Sequence, residues 1–309
     1  MIQQNPYIEH KLLDWINPEK LDWEFLSSNP NAIRLLEQNI DKIDWYNLSA
    51  NPNAIPLLEQ KKNEIDWDML SANPNAIHLL EKKNKTKRKN QINWDMLSAN
   101  PNAIHLLEQN IDKIDWRGLS KNPNAIHLLE QNIDKIYWWN LSANPNAIDL
   151  LIDYSDKIHW SKLSSNPNAI DLVEDLVEDS YLDYGSVDYF ELSSNPNAIS
   201  LLEKYPDKIN WYALSTNPNA IPLLEQNLDK VDWDYLSKNP NSIHLLEKNQ
   251  HKINWKLLSA NPAIFEPFYN YAKMKNRMKS TIAEELMMKT WHPTRIEKWL
   301  DMELDLEYL

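Results

Sequence analysis

"DWDMLSANPNAIHLLE", residues 66–81, returns at 93–108 as "NWDMLSANPNAIHLLE". Variants of this wording open at Trp23, Trp45, Trp67, Trp94, Trp116, Trp138, Trp160, Trp211, Trp233 and Trp255, with Tyr189 in place of one tryptophan. Most steps are 22 residues; the step from Trp67 to Trp94 is 5 longer, and that from Trp160 to Tyr189 is 7 longer. A fixed period in this range marks an architecture of stacked repeats. The repeat reads D-W-x-x-L-S-x-N-P-N-A-I-x-L-L-E-x-N-x-D-K-I.

The period and the L-S-x-N element also invite a leucine-rich repeat, whose apolar residues alternate in strand fashion. Here the position two before the leucine is Glu24, Tyr46, Asp68, Asp95 or Arg117, mostly polar. The apolar partner lies three before it, at the tryptophan, and a spacing of three is helical. Each repeat therefore reads as two short helices. Asp22, Asp44, Asp66, Asp115 and Asp232, with Asn93, Asn210 and Asn254, stand where an N-cap is needed. The first helix must end before Asn-Pro. Pro56 and Pro222 require the second helix to begin just before them, with Asn53 and Asn219 as N-caps. Only Gly118 and Gly185 are glycines, so Asn39 and its equivalents are expected at the left-handed position that ends the second helix.

Helix pairs this short are marginal alone and must be stabilised by stacking. A tryptophan buries about 150–250 Å², which at about 25 cal/mol per Å² is roughly 4–6 kcal/mol. The tryptophans are thus expected in the core. Stacked at about 8–10 Å per step, eleven repeats would make an open rod or arc on the order of 100 Å long. The chain divides into an N-terminal cap (1–20, a degraded copy "NPYIEHKLL"), a solenoid (21–264) and a C-terminal helical cap and tail (265–309). Tyr271, Met274, Met278, Ile282 and Leu286 give the last segment a helical stripe, and Pro293 opens a final helix. One insertion, near 82–90, reads as a protruding basic loop. The other, near 171–186, is acidic and reads as an extended second helix carrying Leu172, Val173, Leu176 and Val177 on one face.

Composition narrows the functions. The 309 residues are 42% hydrophobic, ample for a core, yet no apolar run reaches the roughly 18 residues a membrane span needs. No basic and apolar leader opens the chain, so an intracellular protein without membrane insertion is expected. Cysteine is absent, which removes disulfides and thiol chemistry. A net charge of -13 argues against nucleic acid as the general partner.

His78, His105, His127 and His244 share one repeat position. Zinc–nitrogen bonds are about 2.0–2.1 Å, while neighbouring helices lie about 8–10 Å apart, so these read as surface histidines. Ser71 and Asn73 recur in every repeat without a histidine–acid partner and read as buried groups bonded to backbone. No catalytic residue, cofactor or metal site is read, and the expectation is a non-enzymatic protein. The positions after the tryptophan vary most. Arg117, Trp139, Tyr212, Asp234 and Tyr235 are the partner-binding candidates, on a constant frame suited to a protein partner. Lys82, Lys83, Lys85, Lys87, Arg88 and Lys89 form a basic-loop candidate: an electrostatic contact, a nuclear address, or the grip of a nucleic-acid-binding array. Lys273, Lys275, Arg277 and Lys279 read as the wet face of the cap helix, and "DMELDLEYL" (301–309) as a frayed end or docking motif.

The wording W-x-x-L-S-x-N-P-N-A-I-x-L-L-E, with "HPTRIEKWL" at 292–300, resembles uncharacterised repeat proteins of giant (nucleocytoplasmic large) DNA viruses over about residues 20–300. The resemblance implies a viral origin, an amoeba or algal host cell, and a place in host cytoplasm or virus factory; it brings no catalytic residue. The expected whole is an all-α solenoid of about eleven 22-residue two-helix repeats with helical N- and C-terminal caps, acting as a scaffold for a protein partner.

Overall fold

A computed structural model describes residues 8–84, 92–178 and 187–270, and Lys275. The chain forms two bodies, one of residues 12–265 and one of residues 1–11 with 266–309.

The larger body is an all-α repeat solenoid. Among the described residues, twenty-one α-helices comprise ten pairs, such as Trp116–Lys121 and Ile126–Glu130, and a last helix, Trp255–Ser259, followed by a 3-10 turn, Pro262–Ile264. The first helix starts where an aspartate or asparagine side chain accepts from the backbone N–H three residues on. Asp22 accepts from Phe25 at 3.1 Å, Asp66 from Met69 at 2.9 Å and Asp115 from Gly118 at 2.7 Å. It stops at an extended asparagine, such as Asn122 (φ -73°, ψ 115°), ahead of proline.

The second helix departs from the sequence expectation at both ends. Its N-caps are Ala54 and Ala220, not Asn53 and Asn219, although Pro56 and Pro222 do fall in the first turn. The asparagines are used elsewhere. Asn53 donates its side-chain amide to Pro30 O at 2.8 Å and Asn219 to Pro196 O at 2.9 Å, both in the preceding repeat. At the far end Asn39 is not left-handed but has φ -137°. Its amide donates to Leu35 O at 2.9 Å. A side chain thus satisfies a last-turn carbonyl that a left-handed residue would otherwise serve. The chain passes into a 3-10 turn, Ile40–Lys42.

The core between the helices is leucine and alanine: Leu119, Ala125 and Leu129 are fully buried, as are their equivalents. The tryptophans were expected there but are only partly buried. Each is the first residue of its helix, so one edge of the ring rests on the core and the other reaches the rim. In most repeats a lysine ammonium covers that side: Lys42 over Trp23 at 4.7 Å, Lys135 over Trp116 at 4.7 Å, Lys252 over Trp233 at 4.3 Å.

Polar groups join successive repeats. Asn122 donates to Ser98 O at 3.0 Å and Asn100 O at 2.8 Å; Asp115 N donates to Ser98 Oγ at 3.0 Å; Asn124 donates to Pro101 O at 2.9 Å. This set satisfies backbone groups that the turns leave buried.

The same set joins the last repeat to the first. Asp22 N donates to Ser259 Oγ at 2.8 Å, Asn29 to Ser259 O at 3.0 Å and Asn261 O at 2.9 Å, and Asn31 to Pro262 O at 2.9 Å. Helix Trp23–Ser28 packs on Trp255–Ser259. Lys20 covers Trp255 at 4.7 Å, as its counterparts cover theirs. The repeat body is therefore a closed ring of eleven repeats, not the open rod or arc expected. The closest packing between repeats is first helix on first helix. Each repeat is thus a wedge, and the turn per step is about one-eleventh of a circle.

In the smaller body the N-terminal segment is a strand, Ile8–Leu12, where a helical cap was expected; it pairs with Phe265–Tyr269. Pro267 disfavours a helix interior in the second segment and suits an edge strand. Lys11 meets Glu266 at 2.7 Å, and Asn270 donates to Glu9 at 2.8 Å. The expected cap helices and tail lie outside the described residues, as do Lys273, Arg277 and Lys279. The acidic insertion begins as a second helix, Ile170–Glu178; residues 179–186 lie outside the described residues. The basic insertion begins as a helix too, Ile77–Asn84.

Candidate functional site

The residue after each tryptophan points away from the core because the tryptophan and the following leucine take the inward positions of a short helix. Arg117, Trp139, Tyr212 and Asp234 are all exposed, and Tyr235 is half-buried. They lie along the repeats headed by Trp116 to Trp233, and all but Asp234 belong to three groups of side chains that touch between repeats. The Arg117 guanidinium lies over Tyr137 at 5.2 Å. Trp139 meets His159 edge-on at 6.2 Å and carries the Lys162 ammonium at 4.7 Å. Lys162 pairs with Glu191 of the next repeat. Tyr212 stands between Phe190 at 5.9 Å and Tyr235 at 3.8 Å. The rings stay accessible: Tyr137 is 44% exposed, Trp139 41%, Phe190 48% and Tyr212 40%.

Sequence reasoning missed Tyr137, His159, Lys162, Phe190 and Glu191. A signal for two of them was present. Tyr137 and His159 occupy the N-cap position, and neither makes a side-chain cap. Forgoing a cap costs about 0.5–2 kcal/mol, so two consecutive exceptions, each with a ring on the surface, mark this stretch.

Along this band of the surface stand rings, two cations and two carboxylates. Tyr189 lies behind it at the head of its helix. Burial pushes its phenol up from the ordinary value, and Tyr205 and Asp207 add to the shift.

The other candidates sit apart. His78, His127 and His244 each reach a glutamate on the preceding repeat: Glu59 at 3.2 Å, Glu108 at 3.0 Å and Glu225 at 2.8 Å. His105 instead meets Gln109 at 2.8 Å. All four are exposed. Among the described residues no group of three or more histidine or acidic side chains could hold a metal ion. Ser71 donates to Trp67 O at 2.8 Å and accepts from Asn93 N at 3.0 Å, while Asn73 donates to Ser49 O at 3.0 Å and Asn51 O at 2.8 Å; both are frame residues. Of the basic-loop candidates, Lys82 is exposed and Lys83 covers Trp67 at 4.1 Å. Lys85, Lys87, Arg88 and Lys89 lie outside the described residues.

Among the described residues no helix is long and apolar enough to cross a membrane. No family model matches the chain, and neither the curated proteins nor the solved structures contain a match to it.

Proposed function

We propose that the chain is a non-enzymatic repeat scaffold that binds a protein partner through the band from Arg117 to Tyr235. One observation carries this reading. The constant polar residues of the repeat are engaged in the joints between repeats, while the variable residues after the tryptophans are exposed and touch across repeats. The residue directly after the tryptophan thus varies on a surface, while some residues one further on, such as Gly118, Asn140 and Ala213, are buried. Tyrosine, tryptophan and arginine are the residues that most often dominate the binding energy of protein interfaces.

Cations over rings, Arg117 on Tyr137 and Lys162 on Trp139, also suit single-stranded nucleic acid, where bases stack on aromatic side chains beside basic groups. The net charge of -13 favours the protein partner. The repeat wording supports a giant-virus origin and, with it, host cytoplasm or virus factory as the place of action, with the nucleus as the alternative if the basic loop is an address.

The test is affinity recovery from host-cell lysate, comparing the parent chain with a variant combining Arg117→Ala, Trp139→Ala and Tyr212→Ala. The scaffold reading expects the variant to keep its helicity and lose the main protein partner. A variant that keeps every partner refutes it. Recovery by the parent of mainly nucleic acid, stable at physiological salt, replaces it with the nucleic-acid reading.

A further inference from the structure

The aromatic residue that heads a repeat is repeatedly covered by a lysine nineteen positions later. Lys42 covers Trp23, Lys113 covers Trp94, Lys135 covers Trp116, Lys230 covers Trp211 and Lys252 covers Trp233, at 4.7, 4.6, 4.7, 4.6 and 4.3 Å. Across the closing joint Lys20 does the same for Trp255. The turn that delivers the lysine has a fixed backbone: Lys42 N donates to Asn39 O at 3.0 Å and Lys113 N to Asn110 O at 2.9 Å.

The Trp45 repeat keeps the turn and changes the charge. Glu64 N donates to Lys61 O at 2.9 Å, so Glu64 takes the place of the covering lysine. It is exposed, and Trp45 is half-buried like its counterparts. Among the described residues no cation stands over Trp45, although Lys61 and Lys62 are exposed on the same turn. An indole face attracts a cation through its quadrupole. Here a carboxylate occupies the place from which the ammonium comes elsewhere, which favours a cation supplied from outside.

We propose that Trp45 and Glu64 form a receptor for a lysine or arginine side chain of a partner polypeptide. The array shows the geometry with its own lysines, and in this repeat the partner completes it. The idea rests on the scaffold reading only in that the ligand belongs to a polypeptide.

The test follows the indole N–H signals of the ¹⁵N-labelled full chain in nuclear magnetic resonance, with Trp45 assigned through Trp45→Phe. The probe is a blocked tetralysine peptide, with tetraglutamate as control. Tetralysine should move the Trp45 signal saturably and leave the lysine-covered tryptophans in place. Glu64→Gln should weaken the probe roughly two- to five-fold, the scale of an exposed ion pair. Glu64→Lys installs the array's own residue, so it should keep the fold and abolish the movement. The proposal is overturned if Trp45 does not respond, if Glu64→Lys responds like the parent, or if all tryptophans shift together, which would report only attraction to an acidic body. These outcomes are independent of the Arg117, Trp139 and Tyr212 variant, which should respond as the parent does.

Discussion

Asn29 and Asn122 occupy the same place in two joints, one closing the array and one in its middle. Both are fully buried. Asn29 donates at 3.0 and 2.9 Å to Ser259 O and Asn261 O, and its Oδ1 accepts from Asn31 N at 3.0 Å. Asn122 donates at 3.0 and 2.8 Å to Ser98 O and Asn100 O and accepts from Asn124 N at 3.0 Å. Alanine at either site removes three hydrogen bonds and leaves two carbonyls and an N–H without that partner. At about 1 kcal/mol net per bond, with a further cost for buried groups left unpaired, each change should destabilise by about 3–5 kcal/mol. With a urea slope of about 2–3 kcal/mol per molar, the midpoint should fall by roughly 1–2.5 M. Asparagine to aspartate keeps the acceptor but removes both donors and brings a charge, so it should cost at least as much at both sites. In an open array the Asn29 change would touch only an end. A cost below about 1 kcal/mol for Asn29→Ala, beside the full cost for Asn122→Ala, would refute the closed ring.

Leu119→Ala should cost about 3–5 kcal/mol, more than Trp116→Ala, because Leu119 is fully buried and Trp116 is not; His127→Ala should cost under about 1 kcal/mol. Urea titration gives the order, and an inverted order would restore the tryptophans to the core. Gly118→Ala places a Cβ 2.8 Å from Asp95 O. It should destabilise by about 1–3 kcal/mol despite alanine's better helix propensity, and a rise in the melting temperature would show that the neighbour yields. Deleting Lys85–Lys89 restores the 22-residue step and keeps Lys83 over Trp67. Circular dichroism should be unchanged, while binding that depends on low salt should be lost. The Tyr189 phenol is raised from its ordinary value of 10.0, so its neutral form is the one the fold favours. Its contribution is full below that value and is lost as pH rises through the folded value. Tyr189→Phe should therefore reduce the loss of stability above about pH 10, and an unchanged alkaline limb would count against the shift.

The helix pairs were legible because three kinds of local signal agree. The tryptophan-to-leucine spacing of three, the aspartate before the tryptophan and the Asn-Pro stop each act within a few residues. The asparagines were misread because their side-chain amides serve backbone carbonyls that the local pattern does not name, one in another repeat and one a single turn back. Asn53 looks like an N-cap, but its amide serves Pro30 in the preceding repeat. Asn39 looks like a glycine substitute, but its amide folds back onto Leu35 O. Closure was not legible at all. It follows from how much closer the first helices pack than the second, a small difference per repeat that no residue states and that only eleven steps add up. For the candidate site, exposure of Arg117, Trp139, Tyr212 and Asp234 could be read from their place after the tryptophan. The contacts of Arg117 with Tyr137, Trp139 with Lys162 and Tyr212 with Phe190 depend on the spacing between repeats.

Closure also fixes the copy number. A linear array can gain or lose a whole repeat and merely become longer or shorter. In a ring the wedge angle of each repeat and the number of repeats must multiply to one full turn. A twelfth copy, or a tenth, would leave the Asn29 joint to Ser259 and Asn261 out of register unless every other joint changed its angle. The chain's own irregularities respect this arithmetic. The extra residues between Trp67 and Trp94, and between Trp160 and Tyr189, lengthen a repeat without adding one. The two interrupted joints are intact: Asn93 N still donates to Ser71 Oγ at 3.0 Å and Asp188 N to Ser164 Oγ at 3.2 Å. Sequence change in this architecture can therefore enlarge a repeat or alter its surface, but the number of repeats is locked by geometry.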